Sequence, residues 1–155
     1  SDGARLVTGE GQPGGDGGSI QVWDVDSYTR PQLVRGYDLV VEDLSLSPDA
    51  STLAVALTGS PEVWLVDVEE GTTLARLEGH KFRVNSVDYS PDGVLIASGS
   101  RDGAVRLWNA DTGFPLRVLE EHTAAVNEVA FSSDGGLIAS ASDDGTVIVW
   151  GIVDE

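Results

Sequence analysis

Short apolar runs, each closed by a polar turn, occupy most of the chain. Residues 84–89, 94–100, 104–108 and 115–119 are rich in Val, Leu and Ile, and the breaks between them hold Pro91-Asp92-Gly93, Arg101-Asp102-Gly103 and Asp111-Thr112-Gly113. Asp bonds its own backbone and Gly accepts positive φ, so these triplets read as turns and the runs as predicted strands. No window sustains a 3.6-residue period long enough to compete as a helix. Alternation is blurred, as in Leu95-Ile96-Ala97, which is apolar on both faces. That predicts sheets sandwiched between neighbouring sheets, with neither face given over to water.

The pattern repeats. Residues 90–103 (SPDGVLIASGSRDG) recur as residues 132–145 (SSDGGLIASASDDG), and weaker copies begin at Ser47-Pro48-Asp49 and Ser1-Asp2-Gly3. The turn aspartates Asp2, Asp49, Asp92 and Asp134 stand 47, 43 and 42 residues apart. The long first interval has a local cause, the glycine-rich stretch 9–18 ahead of Trp23. Such a period is the mark of a stacked repeat architecture.

In the two clearest copies a His opens the unit and a Trp closes the third strand: Gly79-His80 with Trp108-Asn109, where Asn stands for the usual Asp, then Glu121-His122 with Trp150-Gly151, where Gly-His has become Glu-His. This text resembles the WD-repeat family of β-propellers. The resemblance covers essentially the whole chain and implies an all-β fold of four-stranded antiparallel blades. About three and a half blades are expected, a partial propeller. Residues 1–36 read as a repeat without its first strand, 37–79 as a degenerate repeat, 80–121 as a whole one and 122–155 as one without its last strand. Fourteen strands follow, in sheets of three, four, four and three. Open end blades expose apolar faces, so a portion of a longer propeller, or a half-ring meeting a second chain, is favoured over a strained four-bladed ring.

Composition narrows the function. Of 155 residues, 26 are acidic and 9 basic, a net charge of −17, and Lys81 is the one lysine. So acidic a surface repels phosphate, which argues against nucleic acid and anionic membranes as partners. Cysteine is absent, so disulfides and thiolate chemistry are too. Methionine is absent even at position 1, which points to a processed piece or a part of something longer. A cytoplasmic location is expected, with no cofactor.

His80, Ser98, Asp102 and Trp108 recur as His122, Ser140, Asp144 and Trp150 with every spacing preserved. Ser, His and Asp invite a hydrolase reading. An enzyme seldom builds its nucleophile site once per repeat, and no Gly-x-Ser-x-Gly elbow surrounds either serine. The resemblance implies instead a buried tetrad, indole to hydroxyl to imidazole to carboxylate, tying the strands of one blade. In the degenerate copy Tyr37 falls at the His position, Val55 at Ser, Gly59 at Asp and Val66 at Trp, leaving Trp64 two residues off register. Thr8 and Trp23 fit the first repeat.

Other chemistry is sparse. The two histidines fall in separate repeats, which is no zinc site. Asp16, Asp24 and Asp26 lack a calcium-loop spacing. The stretch 9–18 lacks Gly-Lys-Ser/Thr and reads as an exposed loop. Glu69-Glu70, Glu120-Glu121 and Asp143-Asp144 read as solvated turns. Surface recognition remains. The resemblance puts Lys81, Phe82 and Arg83 on one rim with Arg101; their counterparts in the next copy are Thr123, Ala124, Ala125 and Asp143. Aromatic plus arginine is a hot-spot composition, although a Phe82 packed under its loop fits equally well. Trp64 reads either as core or as an exposed anchor. The leading expectation is a non-enzymatic scaffold for protein partners, with another chain as one candidate to complete the ring. One alternative is a regulatory tail on a larger bacterial kinase or NTPase. The other is a channel-centred enzyme, whose candidate carboxylates Glu42, Asp43, Asp88 and Glu128 do not share one repeat position.

Overall fold

The computed structural model describes residues 5–11, 18–24 and 32–152. Fourteen strands and no helix occur among them. The first sheet is β1 (Arg5–Gly11), β2 (Gly18–Asp24) and β3 (Gln32–Tyr37). The second runs β4 (Val41–Leu46), β5 (Thr52–Leu57), β6 (Val63–Asp67) and β7 (Thr73–Leu77). The third runs β8 (Val84–Tyr89), β9 (Leu95–Ser100), β10 (Val105–Asn109) and β11 (Pro115–Leu119). The last holds β12 (Val126–Phe131), β13 (Leu137–Ser142) and β14 (Val147–Gly151). Neighbouring strands pair antiparallel throughout.

Two strand starts move by one residue from the sequence reading, for one reason. Asp92 Oδ1 accepts the Val94 N–H and Asp102 Oδ1 accepts the Ala104 N–H, each at 3.0 Å, so each residue stays bound to its turn. The stretch 9–18 also needs correction. Gly9, Glu10 and Gly11 pair with Ile20, Ser19 and Gly18, so strand replaces loop at both ends, and residues 12–17 lie outside the described residues. The turn at Asp2, and Asp16 and Asp26, lie outside them as well, as do the side chains of Asp24 and Tyr37.

The core lies between sheets. One apolar cluster joins the first sheet to the second through Ile20, Leu53, Val55 and Val66; another joins the second to the third around Trp108; a last one joins Ala97, Val105 and Leu107 to Val126, Val129 and Ile138. Strand β9 is accordingly buried on both faces. Close approach of sheets needs a small residue on the second strand. A Cβ on Gly99 would sit 2.7 Å from Val126 Cγ1, and one on Gly9 2.7 Å from Val41 Cγ1.

First strands are also stapled side by side. Asp43 Oδ2 accepts the Val87 N–H at 2.9 Å, and Ser86 Oγ accepts the Val129 N–H at 3.2 Å. Two residues further on, Ser45 Oγ accepts from the Tyr89 N–H at 3.1 Å and Asp88 Oδ2 from the Phe131 N–H at 2.8 Å. These amides face away from their own sheet, and the acceptors satisfy an edge that would otherwise be orphaned. Asp43, Ser86 and Glu128 occupy one repeat position, whereas Glu42 and Asp88 fall at two others, so the four channel carboxylates do not align at one. Burial raises the Asp88 carboxyl despite the Phe131 and Ser45 bonds, and raises Glu128 together with the charges of Asp43 and Asp88.

The far face of the last sheet repeats a buried surface without its cover. Val105 and Leu107 are 0% and 4% exposed, whereas their counterparts Val147 and Val149 are 68% and 61% exposed. Val105→Asp therefore buries an unpaired charge and is expected to cost about 3 kcal/mol or more. Val147→Asp at the equivalent place should cost under about 1 kcal/mol. Urea unfolding of the two variants makes the comparison; equal losses would mean that the last face is covered.

Candidate functional site

The structure brings His80, Ser98, Asp102 and Trp108 together. Trp108 Nε1 donates to Ser98 Oγ at 2.8 Å, and Ser98 Oγ lies 2.8 Å from His80 Nε2. On the other side of the ring, Nδ1 is 3.0 Å from Asp102 Oδ2. A carboxylate can only accept, so Nδ1 carries the proton and Nε2 accepts from the serine hydroxyl. Every side-chain polar atom of the tetrad is then matched. The second copy has the same order: Trp150 to Ser140 at 2.9 Å, Ser140 to His122 at 2.8 Å, and His122 to Asp144 at 2.9 Å. In the first sheet the Trp23 indole donates to Thr8 Oγ1 at 3.0 Å.

This geometry does not suit a nucleophile. Ser98 is fully buried, its oxygen already takes the indole proton, and its own proton points into imidazole. A hydrolytic serine needs a face open to its substrate. Asp102 also anchors backbone, accepting the Lys81 N–H at 2.8 Å, and Asp144 accepts the Thr123 N–H at 3.0 Å. Asp144 therefore belongs to its tetrad, not to the solvated turn expected for Asp143-Asp144.

Electrostatics agree with a neutral ring beside an ionised carboxylate. Burial lowers the His80 pKa, outweighing the attraction of Asp102. Burial also opposes ionisation of Asp102, but the Lys81 and Ala104 amides and His80 more than offset it, and its pKa ends below the usual range. Asp144 is held well below that range, first by the Thr146 hydroxyl.

The second sheet lacks this chain. Val66 pairs with Leu53 as Trp108 pairs with Ile96, and Val55 stands at the serine position; both are fully buried. Apolar groups replace the partners together, a change that can be nearly neutral. Trp64 is half-buried. It packs at the edge of the core, its Nε1 donates to Glu62 Oε2 at 3.2 Å, and the Arg76 guanidinium lies 4.1 Å from its ring centroid. It is thus partly core and partly surface.

On the rim, Lys81, Phe82 and Arg101 are exposed and Arg83 is half-buried. Phe82 is 60% exposed, which removes the reading in which it packs beneath its loop. With Arg83 and Arg101 it lines a shallow depression of about 410 Å³. The backbone below is clamped: Ser100 Oγ donates to the Phe82 and Arg83 carbonyls at 2.9 Å each, and the Arg101 N–H donates to the Arg83 carbonyl at 3.0 Å. Arg83 Nη1 is 3.6 Å from Glu42 Oε1, while its buried Nε has no partner. The next sheet repeats the frame, with Ser142 Oγ donating to the Ala124 carbonyl and the Asp143 N–H to that of Ala125. The two sheets share one frame and differ in the side chains it carries.

The family profile described as "WD domain, G-beta repeat" matches residues 71–109 and 113–151, together just over half of the chain. The chain belongs to the WD-repeat family. Each matched WD repeat begins two residues ahead of the outer strand of one sheet and ends with the third strand of the next, so one repeat links two blades. The chain is 36% identical over 95 residues to "WD repeat and SOCS box-containing protein 1" of Takifugu rubripes, covering 61% of the chain and 22% of that protein. It is 35% identical over 94 residues to the "Serine-threonine kinase receptor-associated protein" of Dictyostelium discoideum, covering 59% and 31%. It is 32% identical over 93 residues to the "Target of rapamycin complex subunit wat1" of Schizosaccharomyces pombe, covering 59% and 29%. The matches thus span from about a fifth to under a third of these relatives' length.

Acid is expected to weaken the third blade through His80. The unfolded ring takes a proton near its ordinary pKa of 6.5 while the folded ring resists it, so its contribution is whole above that value and is lost as pH falls toward the lowered one. Asp88 and Glu128 shift the other way, so the readout is a difference. Between pH 7.5 and 5.5 the free energy of unfolding from urea titration should fall more in the wild type than in His80→Leu, by up to ~1.4 kcal/mol per pH unit. Equal slopes would contradict the neutral buried ring.

Proposed function

We propose that the chain is a non-enzymatic scaffold for protein partners and that the Phe82 rim is its principal contact. The single observation that carries this is the exposed pair Phe82 and Arg101, flanking a half-buried Arg83, on a hydrogen-bonded loop. A rigid loop loses little entropy when it binds. Phe82 supplies apolar area, and the cations recognise carboxylates on a chain that otherwise repels them. The partner segment is therefore read as apolar and acidic together, with Lys81 at its margin.

Two further points support a scaffold over an enzyme. Asp43 and Asp88 hold backbone amides of the adjacent strand, and Glu42 accepts from Thr58 Oγ1 at 2.7 Å, so three of the four channel carboxylates already have structural partners. One of the named relatives is by its printed name a subunit of a complex, which favours assembly as the kind of function here. Nothing in those relatives supports a bacterial kinase or NTPase tail. The exposed Leu137, Val147 and Val149 favour a second contact, another chain that completes the propeller ring.

The experiment is affinity capture from a lysate of the source cell with the tagged chain. Phe82→Ala combined with Arg101→Ala should reduce the proteins captured by wild type at least fivefold, with the thermal midpoint unchanged. Thr123→Ala, on the equivalent rim of the next blade, should leave capture intact. Undiminished capture by the double variant would overturn the assignment of this rim.

A further inference from the structure

On a different part of the surface, a cleft of about 330 Å³ opens between the second and third blades. Pro48 and Asp49 of the second blade line it together with Tyr89, Asp92, Val94 and Asp111 of the third. The carboxylates alone would mean little. Asp49 holds its own turn through Ser47 and Ser51, and Asp92 Oδ1 holds the Ser90 hydroxyl and the Val94 N–H. Asp92 Oδ2 and both Asp111 oxygens have no hydrogen-bond partner or cation among the described residues.

Tyr89 is the independent observation. Its residue is 7% exposed, yet its hydroxyl bonds to none of the described residues. Packing does not call for that hydroxyl, since Leu46 and Phe131 stand at the same position in the neighbouring repeats. Burial pushes the phenol well above its ordinary pKa, and the charges of Asp49 and Asp111 push it further, so it stays protonated within their field. Tyr89 is more than nine-tenths buried, and it lines the cleft together with Asp49, Asp92 and Asp111.

We propose that this cleft binds an arginine side chain of a protein partner, with Tyr89 Oη, Asp92 Oδ2 and the Asp111 carboxylate as acceptors. Among the described residues no cluster of His, Cys, Asp or Glu could hold a metal ion. Pro48 and Val94 line the cleft beside these acceptors, and apolar surface next to several acceptors suits a planar fork of N–H donors better than a compact ammonium. Arg5 reaches the neighbouring turn but donates to the Ala50 carbonyl at 3.3 Å, leaving the cleft carboxylates unpaired. The net charge of −17 draws cationic segments toward the molecule, and the cleft orders one of them.

The probe is acetyl-Gly-Arg-Gly-amide, titrated into the isotope-labelled chain at low salt and followed by amide chemical shifts. The citrulline peptide, neutral and nearly isosteric, is the control. Saturable shifts confined to Gly93, Ala110 and Asp111 and their neighbours are expected with arginine and absent with citrulline. Tyr89→Phe, which copies the residue of the next blade and so keeps the packing, should weaken binding at least threefold, and Asp111→Asn at least fivefold. Equal shifts with citrulline would overturn the proposal. So would shifts scattered over the acidic surface and unchanged by Tyr89→Phe, the signature of diffuse counter-ion binding. Rim variants do not touch this cleft, so failure here and failure of the Phe82 contact are read separately.

Discussion

A serine hydroxyl with no access to water is the constraint on which the two intact blades depend. Ser98 and Ser140 each take an indole proton and give their own to imidazole. Removing one member leaves buried polar atoms with no alternative partner. Each chain therefore fixes several parts at once: the Trp of the third strand, the Ser of the second, and the His entering the first. Through Asp102 or Asp144 it also fixes the turn that carries the rim loop. Local order in the core thus becomes defined placement of side chains at the surface.

Blades are in turn held to one another by two devices. Aliphatic residues of each first strand press on the small residue of the preceding blade, and carboxylates or hydroxyls of that blade catch the amides of the next. Aliphatic packing contributes more, since it removes apolar area from water along the whole sheet. The polar contacts keep strand edges from being orphaned. The same positions are buried in the third blade and open in the fourth, so exposure here is set by neighbours and not by residue type.

How much of this could be read beforehand follows from how each feature is encoded. The tetrads were legible because all four residues recur at fixed spacing, and the fold class because Asp-Gly turns mark strand ends. Counting alone puts Val66 at the Trp position, and its pairing with Leu53, as Trp108 pairs with Ile96, agrees. The staples were not legible. An acceptor is all the amide needs, so Asp and Ser exchange places between Asp43, Ser45, Ser86 and Asp88, and no motif survives. The cleft was hidden for another reason: its walls come from turns one repeat apart, and Tyr89 looks like a core aromatic until its hydroxyl is followed. Phe82 could have been buried or exposed by sequence, because no spacing rule fixes the direction of a loop side chain; in the structure it is exposed.

Solvent exchange of the indole protons examines the shared serine most directly. The account predicts that the Trp108 N–H exchanges only when its blade opens, far more slowly than that of Trp64, and that Ser98→Ala releases Trp108 while Trp150 stays protected. A Trp108 indole proton that exchanges as fast as the Trp64 proton in the intact protein would contradict it.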